Sequence, residues 1–185
     1  GGAILSGGAW NSLFIQPSGI RVVSGSTNPG LPLIDLNGAD KVTIDGLNSG
    51  ANSLTMTNAT VSSSLGTSTI SFRNDASNNK ITRSTILGSS TDMSSSANVF
   101  FYTATVSGND NNVISYCDIG PAGSNLPASA VTSTGSNSPS LFNTGDTIRN
   151  CNVFDYFNAS ASSSGIYLSA GSSDFVIKDN KFYQT

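Results

Sequence analysis

Apolar residues in this chain fall into short clusters that recur at nearly regular intervals. One six-residue pattern begins with Val or Ile and ends five positions later with Leu, Ile, Val or Phe. It occurs five times, at residues 42–47, 81–86, 114–119, 148–153 and 177–182. The copies start 39, 33, 34 and 29 residues apart. Self-similarity at such a period is typical of solenoids, propellers and other repeat arrays.

A second apolar cluster precedes every copy, and a connector rich in Asn, Asp and Gly separates the two. These preceding clusters are Leu33–Leu36, Ile70–Phe72, Val99–Tyr102, Leu141–Phe142 and Ile166–Leu168. Asn, Asp and Gly tolerate the left-handed backbone that sharp corners require. Apolar positions five apart would face opposite sides of a continuous strand, so the strand must bend between them.

Each repeat is therefore predicted to run strand, corner, strand, corner, strand, and then a return loop rich in Ser and Gly. That is one coil of a parallel β-helix. A propeller blade would need four antiparallel strands and its own signature dipeptides, which are absent. We predict a single all-β solenoid domain over residues 1–185 with about five to six rungs, in which residues 1–30 match the pattern least clearly.

Stacking the copies predicts two columns of core residues. The first column is Val42, Ile81, Ile114, Ile148 and Ile177, and the second is Leu47, Ile86, Ile119, Val153 and Phe182. Cys117 and Cys151 share one repeat position on adjacent rungs, next to Ser84 in the preceding copy. Two small buried thiols are the favoured interpretation. A disulfide is the alternative, since adjacent rungs bring Cα atoms within bridging distance, and a metal site would need further ligands.

The amino-acid composition excludes several classes of function. The chain carries 8 basic and 11 acidic residues, and charged residues make up only 10% of it. All the acids are Asp, and there is no His, which excludes a Ser-His-Asp triad and His-ligated zinc. The few basic residues argue against binding to nucleic acid. No apolar stretch reaches about 18 residues, so membrane insertion is not expected.

Some segments resemble a known family. Residues 39–47 and 174–182 resemble repeats of right-handed parallel β-helices. Residues 150–157 and 180–185 are similar to repeat modules of very large secreted bacterial surface proteins. The resemblance covers most of residues 31–185 and implies an extracellular, cell-surface location for a module of a stalk, adhesin or filament. It implies no settled activity, because this fold hosts both enzymes and inert stalks.

Several candidate sites are weak on sequence grounds. Asp75, Ser77 and Asn79 alternate oxygen-bearing side chains as calcium ligands do, and Asp110 lies among asparagines, but the spacing of known calcium loops is missing. β-Helix enzymes that act on acidic polysaccharides carry Asp pairs with His or basic residues, and this chain has no such motif. Aromatic residues are able to stack on sugars, and the candidates are Trp10, Tyr102, Tyr116, Tyr156, Phe157, Tyr167 and Tyr183. Tyr116 is expected to face outward or a corner, and most of the others are expected to pack beneath loops.

Two hypotheses follow. The first is a non-catalytic structural or adhesive module without cofactors, and the alternative is a carbohydrate-active β-helix enzyme or glycan-binding module. The ends look cut from a longer chain, since there is no initiator Met or signal peptide and neither end resembles a polar cap. We therefore expect neighbouring solenoid repeats, or identical subunits end to end, as partners, with surface glycans as a further partner.

Overall fold

The apolar clusters form short strands that stack into three parallel sheets. A computed structural model describes residues 2–8 and 10–185 of the chain, and in it each sheet contains six strands. Sheet A consists of β1 (Ala3–Ser6), β4 (Pro32–Asn37), β7 (Ser68–Arg73), β10 (Ala97–Phe101), β13 (Ser129–Ser133) and β17 (Ser164–Leu168). Sheet B consists of β2 (Leu13–Ile15), β5 (Val42–Asp45), β8 (Lys80–Thr82), β11 (Val113–Ser115), β15 (Thr147–Arg149) and β19 (Val176–Lys178).

Sheet C completes each coil. It consists of β3 (Ile20–Gly25), β6 (Ser53–Asn58), β9 (Thr85–Gly88), β12 (Asp118–Pro121), β16 (Asn152–Phe154) and β20 (Lys181–Tyr183). A two-stranded pair, β14 (Asn143–Thr144) and β18 (Ser172–Ser173), lies at the corner between sheets A and B, and a 3-10 helix spans Pro139–Leu141. The chain passes A, B and C in turn, which makes about five complete turns from the first strand to the last. The predicted all-β parallel solenoid is confirmed.

We number the coils 1 to 6 by their passage through the three sheets. Coil 1 spans residues 3–25, coil 2 spans 32–58, coil 3 spans 68–88, coil 4 spans 97–121, coil 5 spans 129–154 and coil 6 spans 164–183. The Ser- and Gly-rich segments between coils return the chain from sheet C to sheet A, as predicted. Within residues 1–30, the part with the least clear repeat pattern, β1, β2 and β3 supply one strand to each of the three sheets. No helix among the described residues is long and apolar enough to cross a membrane.

The register of the sheets aligns like residues one coil apart. In sheet B the inward column is Ile15, Ile44, Ile81, Ile114, Ile148 and Ile177. In sheet C it is Val23, Met56, Ile86, Ile119, Val153 and Phe182. The predicted positions in coils 3, 4 and 5 are all fully buried. Ile177 and Phe182 keep the register but are 46% and 45% exposed, because no further coil lies over them.

Two predicted column members were wrong, and both belong to coil 2. Ile44, not Val42, pairs with Ile81, and Met56, not Leu47, pairs with Ile86. Val42 is buried two residues earlier, whereas Leu47 is half-buried in a loop with φ of 62°. In coils 3–6 a short, tight corner joins the strand of sheet B to that of sheet C. In coil 2 a longer corner lies between β5 and β6, so the five-residue spacing of Val42 and Leu47 does not correspond to the same geometry.

The tight corner between sheets B and C has a left-handed residue at the same place in four coils. These residues are Arg83, Tyr116, Asn150 and Asp179, with φ between 50° and 56°. This conformation turns the chain so that apolar residues five apart both point inward, which was the geometric requirement read from the sequence. Asn and Asp adopt it at low cost, whereas Arg83 and Tyr116 carry larger side chains that rarely do.

Sheet A supplies the bulkiest part of the core. One column contains Leu36, Phe72 and Phe101, and the rings of Phe72 and Phe101 stack with centroids 4.8 Å apart. Phe175 meets Phe101 edge-on at 5.7 Å. Burial of each such side chain contributes about 1.5–3 kcal/mol before entropy, so these aromatic residues add substantially to the stability of the stack.

Removing one column residue tests the register. We expect Ile148→Ala to lower the free energy of unfolding by about 2–5 kcal/mol, because Ile148 is fully buried between Ile114 and Ile177 and its loss leaves a cavity. Val106→Ala, at a side chain that is 77% exposed, is the control and should change it by less than about 0.5 kcal/mol. Denaturant unfolding of both variants measures the difference. A near-neutral Ile148→Ala would show that the column is not core.

Candidate functional site

The corner between sheets A and B contains a buried ladder of polar side chains. Asn79, Asn112 and Asp146 occupy one repeat position on coils 3, 4 and 5, two residues before the isoleucine column of sheet B. Their side chains are essentially inaccessible to solvent. Each Asn side chain donates a hydrogen bond to the side chain one coil further on. Asn79 Nδ2 donates to Asn112 Oδ1 at 3.0 Å, and Asn112 Nδ2 donates to Asp146 Oδ1 at 3.1 Å.

The same side chains also hold the backbone of the neighbouring coil. The main-chain N–H groups of Val42, Asn79 and Asn112 donate to the Oδ1 atoms one coil further on, at 2.7–3.0 Å. In the opposite direction, Asn79 Nδ2 donates to the carbonyl of Ala39, and Asn112 Nδ2 donates to that of Ala76. Each Asn therefore satisfies both a donor and an acceptor that the corner would otherwise leave unpaired in the interior.

A second ladder runs beside the first. Asn143 Oδ1 accepts from the backbone N–H and the Nδ2 of Asn109, and Asn109 Oδ1 accepts the backbone N–H of Ala76. Asn109 and Asn143 are also fully buried. On sequence grounds the Asn residues of the connectors, Asn109 among them, were interpreted as ordinary corner residues, and Asn143 was not singled out. Their recurrence at fixed distances before each isoleucine was the signal that would have identified the ladders.

Asp146 differs from the asparagines in its column. It has an oxygen where they have Nδ2, and this Oδ2 is buried without a hydrogen-bond partner among the described residues. Asn79 and Asn112 donate their Nδ2 hydrogens to the backbone carbonyls of Ala39 and Ala76. At the equivalent position of the coil before Asp146, the backbone carbonyl is that of Asn109. Burial, with a smaller contribution from the nearby charge of Asp110, raises the pKa of Asp146 to about 8 despite the hydrogen bonds from Asn112. A proton on Oδ2 makes the carboxyl group a donor, as the Asn side chain is.

Asp75 shows the opposite behaviour at the same corner. Its carboxylate accepts the backbone N–H groups of Thr105, Val106 and Ser107 at 2.9–3.1 Å, and the hydroxyl of Thr105. Burial alone would raise its pKa, but these hydrogen bonds hold the pKa of Asp75 at about 2. Asp75 thus binds the loop of the next coil as an anion.

The residues considered as calcium ligands form hydrogen bonds to other protein groups at the corner between sheets A and B. Asp75 holds the loop at residues 105–107, Ser77 Oγ accepts the N–H of Asp110 at 2.9 Å, and Asn79 belongs to the ladder. Asp110 Oδ1 accepts the N–H of Thr144 at 2.9 Å. Within residues 2–8 and 10–185, no group of three or more Cys or Asp side chains is arranged to hold a metal ion.

The two cysteines lie at the corner between sheets B and C on coils 4 and 5, next to the paired residues Asp118 and Asn152. Both are buried free thiols, as the favoured interpretation predicted. Their Sγ atoms donate to the carbonyls of Ile81 and Ile114 at 3.8 Å, and in coil 6 Asn180 Nδ2 donates to the equivalent carbonyl of Ile148. Burial raises the pKa of the Cys117 thiol well above its ordinary value.

The aromatic candidates do not form one surface. Tyr116 projects from the tight corner of coil 4 and is 55% exposed, whereas Phe157 projects from the loop after coil 5 and is 54% exposed. Trp10 lies on coil 1, where its Nε1 donates to the carbonyl of Asp40 at 3.0 Å. Tyr183 stacks on Phe154, with centroids 5.7 Å apart, on the outer face of sheet C. The remaining candidates, Tyr102, Tyr156 and Tyr167, are half-buried.

Comparisons with protein-family models, with curated proteins and with solved structures found no match to this chain.

The Asp146 carboxyl group makes stability depend on pH. Its folded pKa of about 8 lies above the unfolded value of 3.8, so the stabilisation is complete below pH 4 and is lost as the pH rises through about 8. Thermal unfolding across this range should show a falling midpoint. In Asp146→Asn, whose Nδ2 donates at every pH, the fall should be smaller and the stability at pH 8 higher. Asp174→Asn, at an exposed residue, is the control and should keep the slope of the natural chain.

Proposed function

We propose that this chain is a non-catalytic structural module of an extracellular bacterial surface protein, namely a stalk or adhesive unit. Contacts between its coils hold the stack together. The proposal rests on the contacts that the carboxyl groups of the chain make. Hydrolysis of glycosidic bonds canonically uses two carboxyl groups that reach the substrate. Here the carboxyl groups are directed at protein partners, and most of these partners belong to the next coil.

Eight of the eleven Asp residues bind a residue of an adjacent coil. These are Asp35 with Arg73, Asp40 with Ser77, Asp45 with Arg83, Asp75 with Thr105, Asp110 with Thr144, Asp118 with Asn152, Asp146 with Asn112, and Asp155 with Thr185 just beyond coil 6. The other three, Asp92, Asp174 and Asp179, bind Ser94, Ser173 and Lys178 close to them in sequence. Every carboxyl group thus has a polar partner within the chain.

Two of these contacts are ion pairs that join coil 2 to coil 3. Arg73 Nε donates to Asp35 at 3.0 Å, and Arg83 Nε donates to Asp45 at 2.9 Å, each with a second contact from Nη2. Arg83 lowers the pKa of Asp45, whereas burial raises that of Asp35 in spite of Arg73. Two of the three arginines in coils 2–5 are therefore occupied in holding coils together, which supports a mechanical rather than a chemical role.

The structural role of these carboxyl groups can be measured. We expect Asp75→Ala to lower the free energy of unfolding by about 1–3 kcal/mol, because the N–H groups of residues 105–107 lose a charged acceptor. Asp174→Ala is the control, because Asp174 has a left-handed backbone like that of Asp75 but its carboxyl group hydrogen-bonds only with Ser173, so it should destabilise the fold clearly less than Asp75→Ala. Equal and negligible effects would mean that the contacts between coils do not stabilise the stack, and would remove the main support for the proposal.

Catalysis is tested directly on the intact chain. A panel of neutral and acidic polysaccharides is incubated with the protein, and both new reducing ends and unsaturated products are measured, alongside binding to a glycan array. We expect no turnover. Binding without turnover would favour an adhesive unit, and the absence of both would favour a stalk. Turnover that follows the protein through purification, and is lost in a variant such as Asp35→Asn, would overturn the proposal in favour of a carbohydrate-active enzyme.

A further inference from the structure

The tight corner between sheets B and C carries a tyrosine that the fold itself does not explain. Tyr116 occupies the left-handed position of coil 4 with φ of 55°, where Asn150 and Asp179 stand in coils 5 and 6. Asn and Asp adopt this conformation at lower cost than Tyr. Yet Tyr116 is 55% exposed, and none of the aromatic pairs among the described residues includes it. The chain therefore holds a solvent-facing ring in a conformation that stability alone does not favour.

Arg83, the other bulky residue at this position, has a structural reason to be there. Its φ is 50°, and its guanidinium group binds the carboxylate of Asp45 on coil 2. This ion pair compensates for the backbone conformation and also neutralises the charge of Arg83. The exposed ring of Tyr116 has no counterpart to this contact among the described residues. Costly backbone conformations cluster at functional sites, so the exception points to a function for the ring.

An arginine without an ion-pair partner lies beside this ring. Arg149 is exposed at the end of β15 on coil 5, and the backbone N–H of Tyr116 donates to its carbonyl at 3.1 Å. The ion pairs among the described residues are those of Arg73, Arg83 and Lys178. The charge of Arg149 is therefore not compensated within this part of the chain, and an exposed ring and an exposed guanidinium group belong to neighbouring positions on the outside of the stack.

The carboxyl groups around this corner already have partners. Asp118 Oδ1 accepts from Asn152 Nδ2 at 2.7 Å, and Asp179 Oδ2 lies 3.8 Å from Nζ of Lys178. Lys178 itself follows Arg149 in the same outward column of sheet B, which adds a second cation one coil away. The positive charge of Arg149 is thus available to an anion from outside the chain.

The two side chains define the ligand that they fit. A guanidinium group presents a planar fork of donors that matches the two oxygens of a carboxylate. The flat ring of a tyrosine is a largely apolar surface, suited to packing against the C–H face of a sugar. Residues on successive coils lie about 4.8 Å apart, which is comparable with the length of one sugar unit. A nucleic acid or another dense phosphate polymer would need a longer row of unpaired cations.

We propose that Tyr116 and Arg149 form a binding site for a glycan that carries carboxylate groups, with the ring of Tyr116 stacked on a sugar unit and Arg149 bound to its carboxylate. This inference rests on the proposed function in its adhesive form and names the ligand. The site lies on coils 4 and 5, each of which has a coil on either side, so its geometry belongs to the middle of the stack.

Titration calorimetry on the intact chain tests the site. The probes are an oligosaccharide of glucuronic acid, the oligosaccharide of glucose with the same linkage and length, and a sulfated form of the latter. We expect the glucuronic acid probe to bind most tightly. Arg149→Ala should weaken its binding by about tenfold or more, because charge-assisted hydrogen bonds are lost. Tyr116→Asn should weaken it by about tenfold through the loss of stacking. Arg21→Ala removes an exposed arginine from coil 1 and is the control, with unchanged binding.

Thermal unfolding separates a binding role of Tyr116 from a structural one. Asn adopts the left-handed conformation at lower cost, so Tyr116→Asn should unfold at the same temperature as the natural chain or at a higher one. A clear destabilisation would assign the ring a structural role and overturn the inference. So would the absence of binding, equal binding of the glucose probe, or tighter binding of the sulfated probe. None of these outcomes involves polysaccharide turnover or the effect of Asp75→Ala, so the proposed function is judged by its own experiments.

Discussion

The structure depends on one constraint, which is that every residue in a sheet lies about 4.8 Å from the residue at the same position one coil away. Parallel hydrogen bonding imposes this spacing along all three sheets at once. Like therefore stacks on like, with isoleucine on isoleucine in sheet B, phenylalanine on phenylalanine in sheet A and asparagine on asparagine at the corner. Apolar burial, aromatic stacking and amide ladders are consequences of the same repeat distance.

Polar side chains can enter such a core only where each is satisfied by its neighbours. Asparagine suits this role because it carries a donor and an acceptor, and a column of asparagines bonds both along itself and to the flanking backbone. Asp146 shows how far the rule extends, since a carboxyl group is accommodated in the column only by holding a proton. Asp75, at the same corner two coils earlier, keeps its charge because the N–H groups of a loop converge on it.

The coarse fold was predictable because the spacing of five residues between an Ile and the next inward apolar residue appears unchanged in coils 3–6, and such spacing is compatible with few architectures. The same reasoning failed for Val42 and Leu47, which have the right spacing by coincidence and the wrong register. The ladders were overlooked because a lone asparagine in a turn has a sufficient local explanation. Only its position relative to a residue some 33 positions away reveals the contact, and that distance follows from the register rather than from the local sequence.

The long corner of coil 2 has a consequence for how such a chain tolerates changes in length. Residues 46–52 leave the wall between β5 and β6, yet Ile44 and Met56 still occupy the same columns as Ile81 and Ile86. Insertions at a corner are thus absorbed outside the wall, whereas the gain or loss of one residue within a strand would turn its inward side chains outward. A chain of this kind therefore tolerates changes in the number of residues at its corners, whereas the number of residues in its strands is constrained.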